Sequence, residues 1–214
     1  MTPMLDLVLP LQCGGCGAPS TRWCGACAAA LDLSAGDPHI LTPRVDPGVP
    51  MFSLGRYAGP RRRAVVALKE HGRRDLAAPL SRALALGIHR LSTWGILGEE
   101  LTVVPAPTRR SAARRRGGDP VLRIAAGATA ASPRHAVASV LRTTALVRDS
   151  VGLTSAARER NIAGRVRLTG SAPGGEVLLV DDIVTTGATA REAVRVLTAG
   201  GARVSAVLTL AYVS

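Results

Sequence analysis

Apolar positions follow two spacings along the chain. From Met51 onward, short continuous apolar runs alternate with stretches whose apolar residues recur every three to four positions. The first pattern predicts buried strands and the second amphipathic helices. Strands are expected at 51–57, 101–104, 137–142, 176–180 and 204–213. Helices are expected around 61–69, where Ala64, Val65 and Leu68 share a face, and over 77–91 and 120–131. Thr154 or Ser155 is expected to cap a helix running towards Ile162, with Gly164 and Gly170 breaking the chain beyond it. The last third is clearest. A strand ends at Val180, a Thr/Gly loop comes next, and a helix from about Ala188 to Ala199 buries Ala190, Ala193, Val194 and Leu197. Gly200-Gly201 stops that helix, and a further strand returns. Strand, crossover helix and strand in this order imply a mostly parallel sheet flanked by helices, an α/β fold.

The first 50 residues do not share this pattern. All four cysteines fall between positions 13 and 27, and residues 34–50 hold four prolines and two glycines. The expected organisation is a small module with a linker over 1–50 and a main α/β domain over 51–214. Cys13-x-x-Cys16, seven residues, then Cys24-x-x-Cys27 has the spacing of a paired knuckle. Four thiolates there can surround one Zn²⁺ tetrahedrally, a closed and therefore structural site. The alternatives are two disulfides, disfavoured in a reducing cytoplasm, or a redox Cys-x-x-Cys, which would not need the second pair.

Composition adds a preference for anions. The formal charge is +12, and Lys69 is the only lysine, so arginine carries nearly all of it. A basic chain favours phosphate, nucleic acid or an acidic surface, although an arginine skew with abundant Ala and Gly also arises from GC-rich coding. No apolar run approaches the roughly 20 residues of a membrane span, and no basic leader precedes the N-terminal apolar stretch, so a cytoplasmic location is expected. Only five residues are aromatic, which argues against a stacking platform for nucleic-acid bases.

The chemistry concentrates after Val180. Asp181 and Asp182 lie at the carboxyl end of a strand, where open α/β sheets bind ligands. Adjacent strand residues point to opposite faces, so both carboxylates can meet one ligand only if the strand ends there and the backbone turns. Such carboxylates can accept hydrogen bonds from the vicinal hydroxyls of a ribose. Thr185, Thr186, Gly187, Ala188 and Thr189 then enter a helix. The first N–H groups of a helix lack partners and carry partial positive charge, which suits a phosphate. Gly187 permits a close backbone approach to the ligand.

Val177-Leu-Leu-Val-Asp-Asp-Ile-Val-Thr-Thr-Gly-Ala-Thr189 resembles the motif by which type I phosphoribosyltransferases bind 5-phosphoribosyl 1-pyrophosphate (PRPP). With the four-cysteine knuckle ahead of it, the chain resembles the ComF family, bacterial proteins linked to DNA uptake in natural competence. Tyr57-Ala-Gly59, Leu68-Lys-Glu-His-Gly72, Val104-Pro-Ala-Pro107, Arg142 and Arg158-Glu-Arg-Asn161 carry the likeness over roughly residues 10–213. The resemblance implies the type I phosphoribosyltransferase fold, a structural zinc, and PRPP bound with Mg²⁺. It gives the ribose hydroxyls to Asp181 and Asp182, the 5′-phosphate to Thr185–Thr189, and the pyrophosphate to Lys69, Glu70, His71 and Gly72. The family's mobile loop usually reads Arg-Gly-Phe-Asn-Gln. Here it is Arg116-Gly-Gly-Asp-Pro120, which lacks the aromatic and both amides.

Two functions are expected on these grounds. One is transfer of phosphoribosyl from PRPP to a nitrogen acceptor, with release of pyrophosphate. The other is binding of PRPP, a nucleotide or single-stranded DNA without turnover, alongside competence or repair proteins. Arg109, Arg110, Arg114, Arg115 and Arg116 fit either a lid over pyrophosphate, a contact for DNA phosphates, or a solvated loop.

Overall fold

A computed structural model of the chain describes residues 11–107, 118–144 and 162–213. Its centre is a six-stranded sheet. In chain order the strands are β1 (His39–Leu41), β2 (Met51–Ser53), β3 (Leu101–Pro105), β4 (His135–Val137), β7 (Glu176–Val184) and β8 (Arg203–Tyr212). They lie in the order β1-β2-β8-β7-β3-β4, and β5 (Leu141–Thr143) and β6 (Val166–Leu168) form a separate antiparallel pair. Only the β1–β2 pairing in the large sheet is antiparallel. The mostly parallel α/β sheet read from the sequence is therefore present.

Parallel strands buried on both faces need continuous apolar runs, and β7 supplies one. Leu178 and Val180 join Leu68, Leu80, Leu84 and Ile124 in one core, while Val177 and Leu179 join Ala193 and Leu197 in a second. Three helices contribute to the first core: α2 (Gly59–Glu70), α3 (Ala77–Thr93) and α4 (Pro120–Thr129). The second face carries α5 (Ala188–Ala199) and the β5–β6 pair. A short helix α1 (Gly25–Ala29) lies within the cysteine segment.

This arrangement positions the site. Helix α4 joins β3 to β4 on one face, and α5 joins β7 to β8 on the other. The two crossovers run outward in opposite directions from the adjacent β3–β7 pair. The carboxyl ends of strands at such a reversal are where open α/β sheets bind ligands.

Several expectations change. The strand expected over 137–142 is two strands, β4 and β5, in different sheets. Residues 138–140 leave the large sheet, and Thr169 closes onto Val140 through both its backbone N–H and its hydroxyl. The stretch read as linker holds β1, whose register sets His39 opposite Ser53. Strand β6, between the two breaking glycines, and α1 were too short to show a periodicity. The helix expected to begin at Thr154 or Ser155 lies outside the described residues, as does the arginine cluster at 109–116. Among the described residues, no helix is long and apolar enough to cross a membrane.

Candidate functional site

The strand carrying the acidic pair does not end at Val180. It continues to Val184, pairing Asp181 with Thr209, Ile183 with Ala211 and Val184 with Tyr212. Strict alternation would then separate the two carboxylates, but the alternation slips. Val177 and Leu179 face the second core and Leu178 and Val180 the first, whereas Ile183 packs on the first core and Val184 on the second. The order reverses across the acidic pair. The expected turn does not occur: β7 keeps its register with β8 through the acidic pair, the register shift between the two strands lying at Val177/Leu178.

Asp182 is buried, and its Oδ2 lies 2.8 Å from Nζ of Lys69, at the last turn of α2. Asp181 Oδ1 accepts the backbone N–H of Asp182 at 2.8 Å. Burial pushes the Asp181 carboxyl up to about 8, the Asp182 charge adds to the rise, Lys69 opposes it, and the charge of Asp119 raises it further. Burial and the neighbouring Asp182 charge thus favour a proton at Asp181 more than at an ordinary carboxylate.

The loop after β7 has the expected form. Thr185 is exposed and Thr186 buried, and Gly187 caps α5 with φ of +88°. The Ala188 N–H donates to Thr186 Oγ1 at 3.3 Å. Thr189 lies in the first turn of α5, so a helix N-terminus follows the strand that carries the acidic pair. The close approach at Gly187 is made by the chain itself. A Cβ there would lie 2.4 Å from the carbonyl oxygen of Val45 and 2.8 Å from Cβ of Pro43. Val45 also donates its N–H to the Thr186 carbonyl at 2.8 Å. Residues 43–45, in the stretch read as linker, therefore brace the loop. A cavity of about 290 Å³ lies on the flank of α5, between Val45, Ala188 and Arg191, away from the two aspartates.

Of the residues expected to meet pyrophosphate, Lys69 reaches the acidic pair. Glu70 and His71 are exposed, and Gly72 takes φ of +66° in the turn that ends α2. Two contributors were missed in the sequence. Asp119 caps α4, its Oδ1 accepting from the N–H of Val121 at 2.9 Å and of Leu122 at 3.3 Å. Asp-Pro at a helix start is a capping signal that could have been read. The brace at 43–45 had no such signal.

The four cysteines meet as expected. Their sulfurs all lie within 4.8 Å of one another, and Cys16 and Cys24 are 3.6 Å apart. Four sulfurs around one Zn²⁺ at the usual bond length would be about 3.8 Å apart. The Cys13 sulfur accepts backbone N–H groups from Gly15 and Cys24, and that of Cys24 accepts from Cys27, each at 3.4 Å. Burial works against ionisation of Cys13, but backbone donors from Cys24, Cys16 and Gly15 outweigh it and bring the thiol down to about 6. Burial and the neighbouring sulfurs push Cys27 well up. Ionising all four at this spacing is costly without a cation among them, and the cluster could bind a metal such as zinc.

The chain matches no protein-family model, and no curated protein matches it.

Proposed function

We propose that the chain is a ComF-like protein of the type I phosphoribosyltransferase class that binds PRPP with Mg²⁺ at the acidic pair and the adjoining loop. The observation that carries the reading is the Lys69–Asp182 contact, with Asp181 alongside, on the strand that leads through a Thr/Gly loop into a helix at the reversal of the sheet. Asp181 and Asp182 would orient the ribose through its hydroxyls. Thr185–Thr189 would hold the 5′-phosphate with backbone N–H groups and hydroxyls. Lys69 would meet the pyrophosphate end. Transfer to a nitrogen acceptor would then depend on holding the sugar while the departing pyrophosphate is neutralised. Mg²⁺ would supply part of that neutralisation. The cysteine cluster would hold a structural zinc, since four protein ligands leave no open position.

A second reading is binding without turnover, of PRPP, a nucleotide or single-stranded DNA, in DNA uptake or repair. The charge of +12 favours it, as does Arg116-Gly-Gly-Asp-Pro120, which lacks the aromatic and amides of the family's mobile-loop pattern. Calorimetric titration of PRPP with Mg²⁺ tests the first reading. Binding to the wild type and its loss in Asp181→Asn/Asp182→Asn is expected. Absence of binding to the folded wild type removes PRPP from both readings and leaves a nucleotide or DNA.

A further inference from the structure

The chain on either side of Lys69 hydrogen-bonds to the cysteine segment. On α2, six residues before Lys69, Arg63 donates to the carbonyl oxygen of Gly15 at 3.3 Å. Beyond it, Arg73 donates to the carbonyl oxygen of Arg22 at 3.3 Å and grips Asp75 through two bonds of 2.9 and 2.7 Å. The backbone N–H of Arg73 also returns to Ala67, closing the last turn of α2 around Lys69. Leu76, fully buried, lies against the backbone of Gly14, where an added Cβ would come within 2.5 Å of its side chain. Gly14 and Gly15 both lie between the first two cysteines. A Cβ on Gly15 would come within 2.5 Å of the Cys27 sulfur. Gly14 and Gly15 thus touch both the sulfur cluster and, through Leu76 and Arg63, the segments that flank the end of α2.

We propose that Arg63 and Arg73 are positioning residues for Lys69, through which the four-cysteine knuckle holds the lysine on Asp182. The ligand arm of this inference rests on the reading of the acidic pair as the PRPP site. A lysine is a point charge on a flexible four-carbon stem, so its reach is set by where its helix ends. A knuckle closed around a metal is a rigid support for that end. An open or oxidised knuckle releases Arg63, Arg73 and Leu76 together, and affinity at the acidic pair falls with it.

A single lysine makes the test direct. Reductive ¹³C-methylation of the full-length, zinc-loaded chain labels Lys69 and, apart from it, only the α-amino group. The methyl signal in Asp182→Asn marks the position of a Lys69 that has lost its contact with Asp182. In Arg63→Gln/Arg73→Gln, with metal content unchanged, the Lys69 signal is expected to move from the wild-type position towards that mark. The Kd for PRPP with Mg²⁺ is expected to rise about threefold to tenfold. Stripping the metal under reductant is expected to shift the signal the same way. A Lys69 signal that stays at the wild-type position in the folded double variant overturns the proposal. If the double variant fails to fold, Arg63→Gln alone decides by the same signal. A wild type that shows the paired Lys69 signal but binds no PRPP defeats the PRPP reading, while the variant spectra still decide the positioning role.

Discussion

At Asp181 the local environment converts a strand residue into a titrating group near neutral pH. Folding raises its carboxyl from the ordinary 3.8 to about 8. An acid shifted this way binds its proton more tightly in the folded chain than in the unfolded one. Its drag on stability is therefore absent below about 4, grows as pH climbs, and is complete above about 8. Asp181→Asn removes the group. The variant should be more stable than wild type at pH 9 by about 1–3 kcal/mol and nearly equal to it at pH 4. Denaturant unfolding at the two pH values checks this, and an equal difference at both would contradict it. Gly187 is constrained from two directions, by its φ of +88° and by the Val45 carbonyl oxygen. Gly187→Ala should cost about 1–3 kcal/mol in thermal or denaturant unfolding, because the brace at 43–45 must shift, and on the proposed function it should also weaken PRPP binding.

Among the elements, α4 links stability to the site through one residue. Asp119 caps the helix through Oδ1, and its charge also raises the Asp181 pKa. The two effects separate by substitution. Asp119→Ala removes the cap and should destabilise the chain by about 0.5–2 kcal/mol. Asp119→Asn keeps a capping oxygen, so stability near pH 5 should hardly change. Removing the charge should nevertheless lower the pH at which Asp181 titrates, as read from carboxyl ¹³C shifts. If the Asn variant titrates like wild type, Asp119 acts only as a cap. Element boundaries behaved according to the strength of local signals. Helix α5 spans Ala188–Ala199 as the spacing of its apolar residues required, with Gly200 and Gly201 at its end. The β7 boundary was missed because the acidic pair looks like a strand end, while pairing with β8 carries the strand on to Val184.

For the whole molecule, the cysteine segment is part of the support of the main body. Trp23 and Leu33 pack against the first core, which Leu31 joins, and Arg90 of α3 donates to the carbonyl oxygen of Ala35 at 2.8 Å. Purified chain should carry one zinc per molecule by elemental analysis. Chelation under reducing conditions should lower the melting temperature and shift the fluorescence of Trp23, which lies close to Gly15 beside the cluster. Unchanged melting and emission after verified metal loss would exclude a structural role for the metal. Cys27 is buried and Cys16 exposed, so Cys27→Ser should lose metal more readily than Cys16→Ser, a buried sulfur being harder to replace by water.

The α/β class, the helix–strand order of the last third, the candidate loop and the four clustered cysteines were all legible in the chain, because each rests on a local signal. Apolar spacing, capping residues and paired Cys-x-x-Cys act over a few residues and leave a pattern there. The tertiary structure decided that Lys69 meets Asp182, that β7 runs on through the acidic pair, that residues 43–45 brace Gly187, and that Arg63 and Arg73 hydrogen-bond to the backbone of the cysteine segment. These are contacts between polar groups or bare backbone far apart in sequence. No periodicity announces such a contact, because neither partner needs a neighbour of a given type to make it.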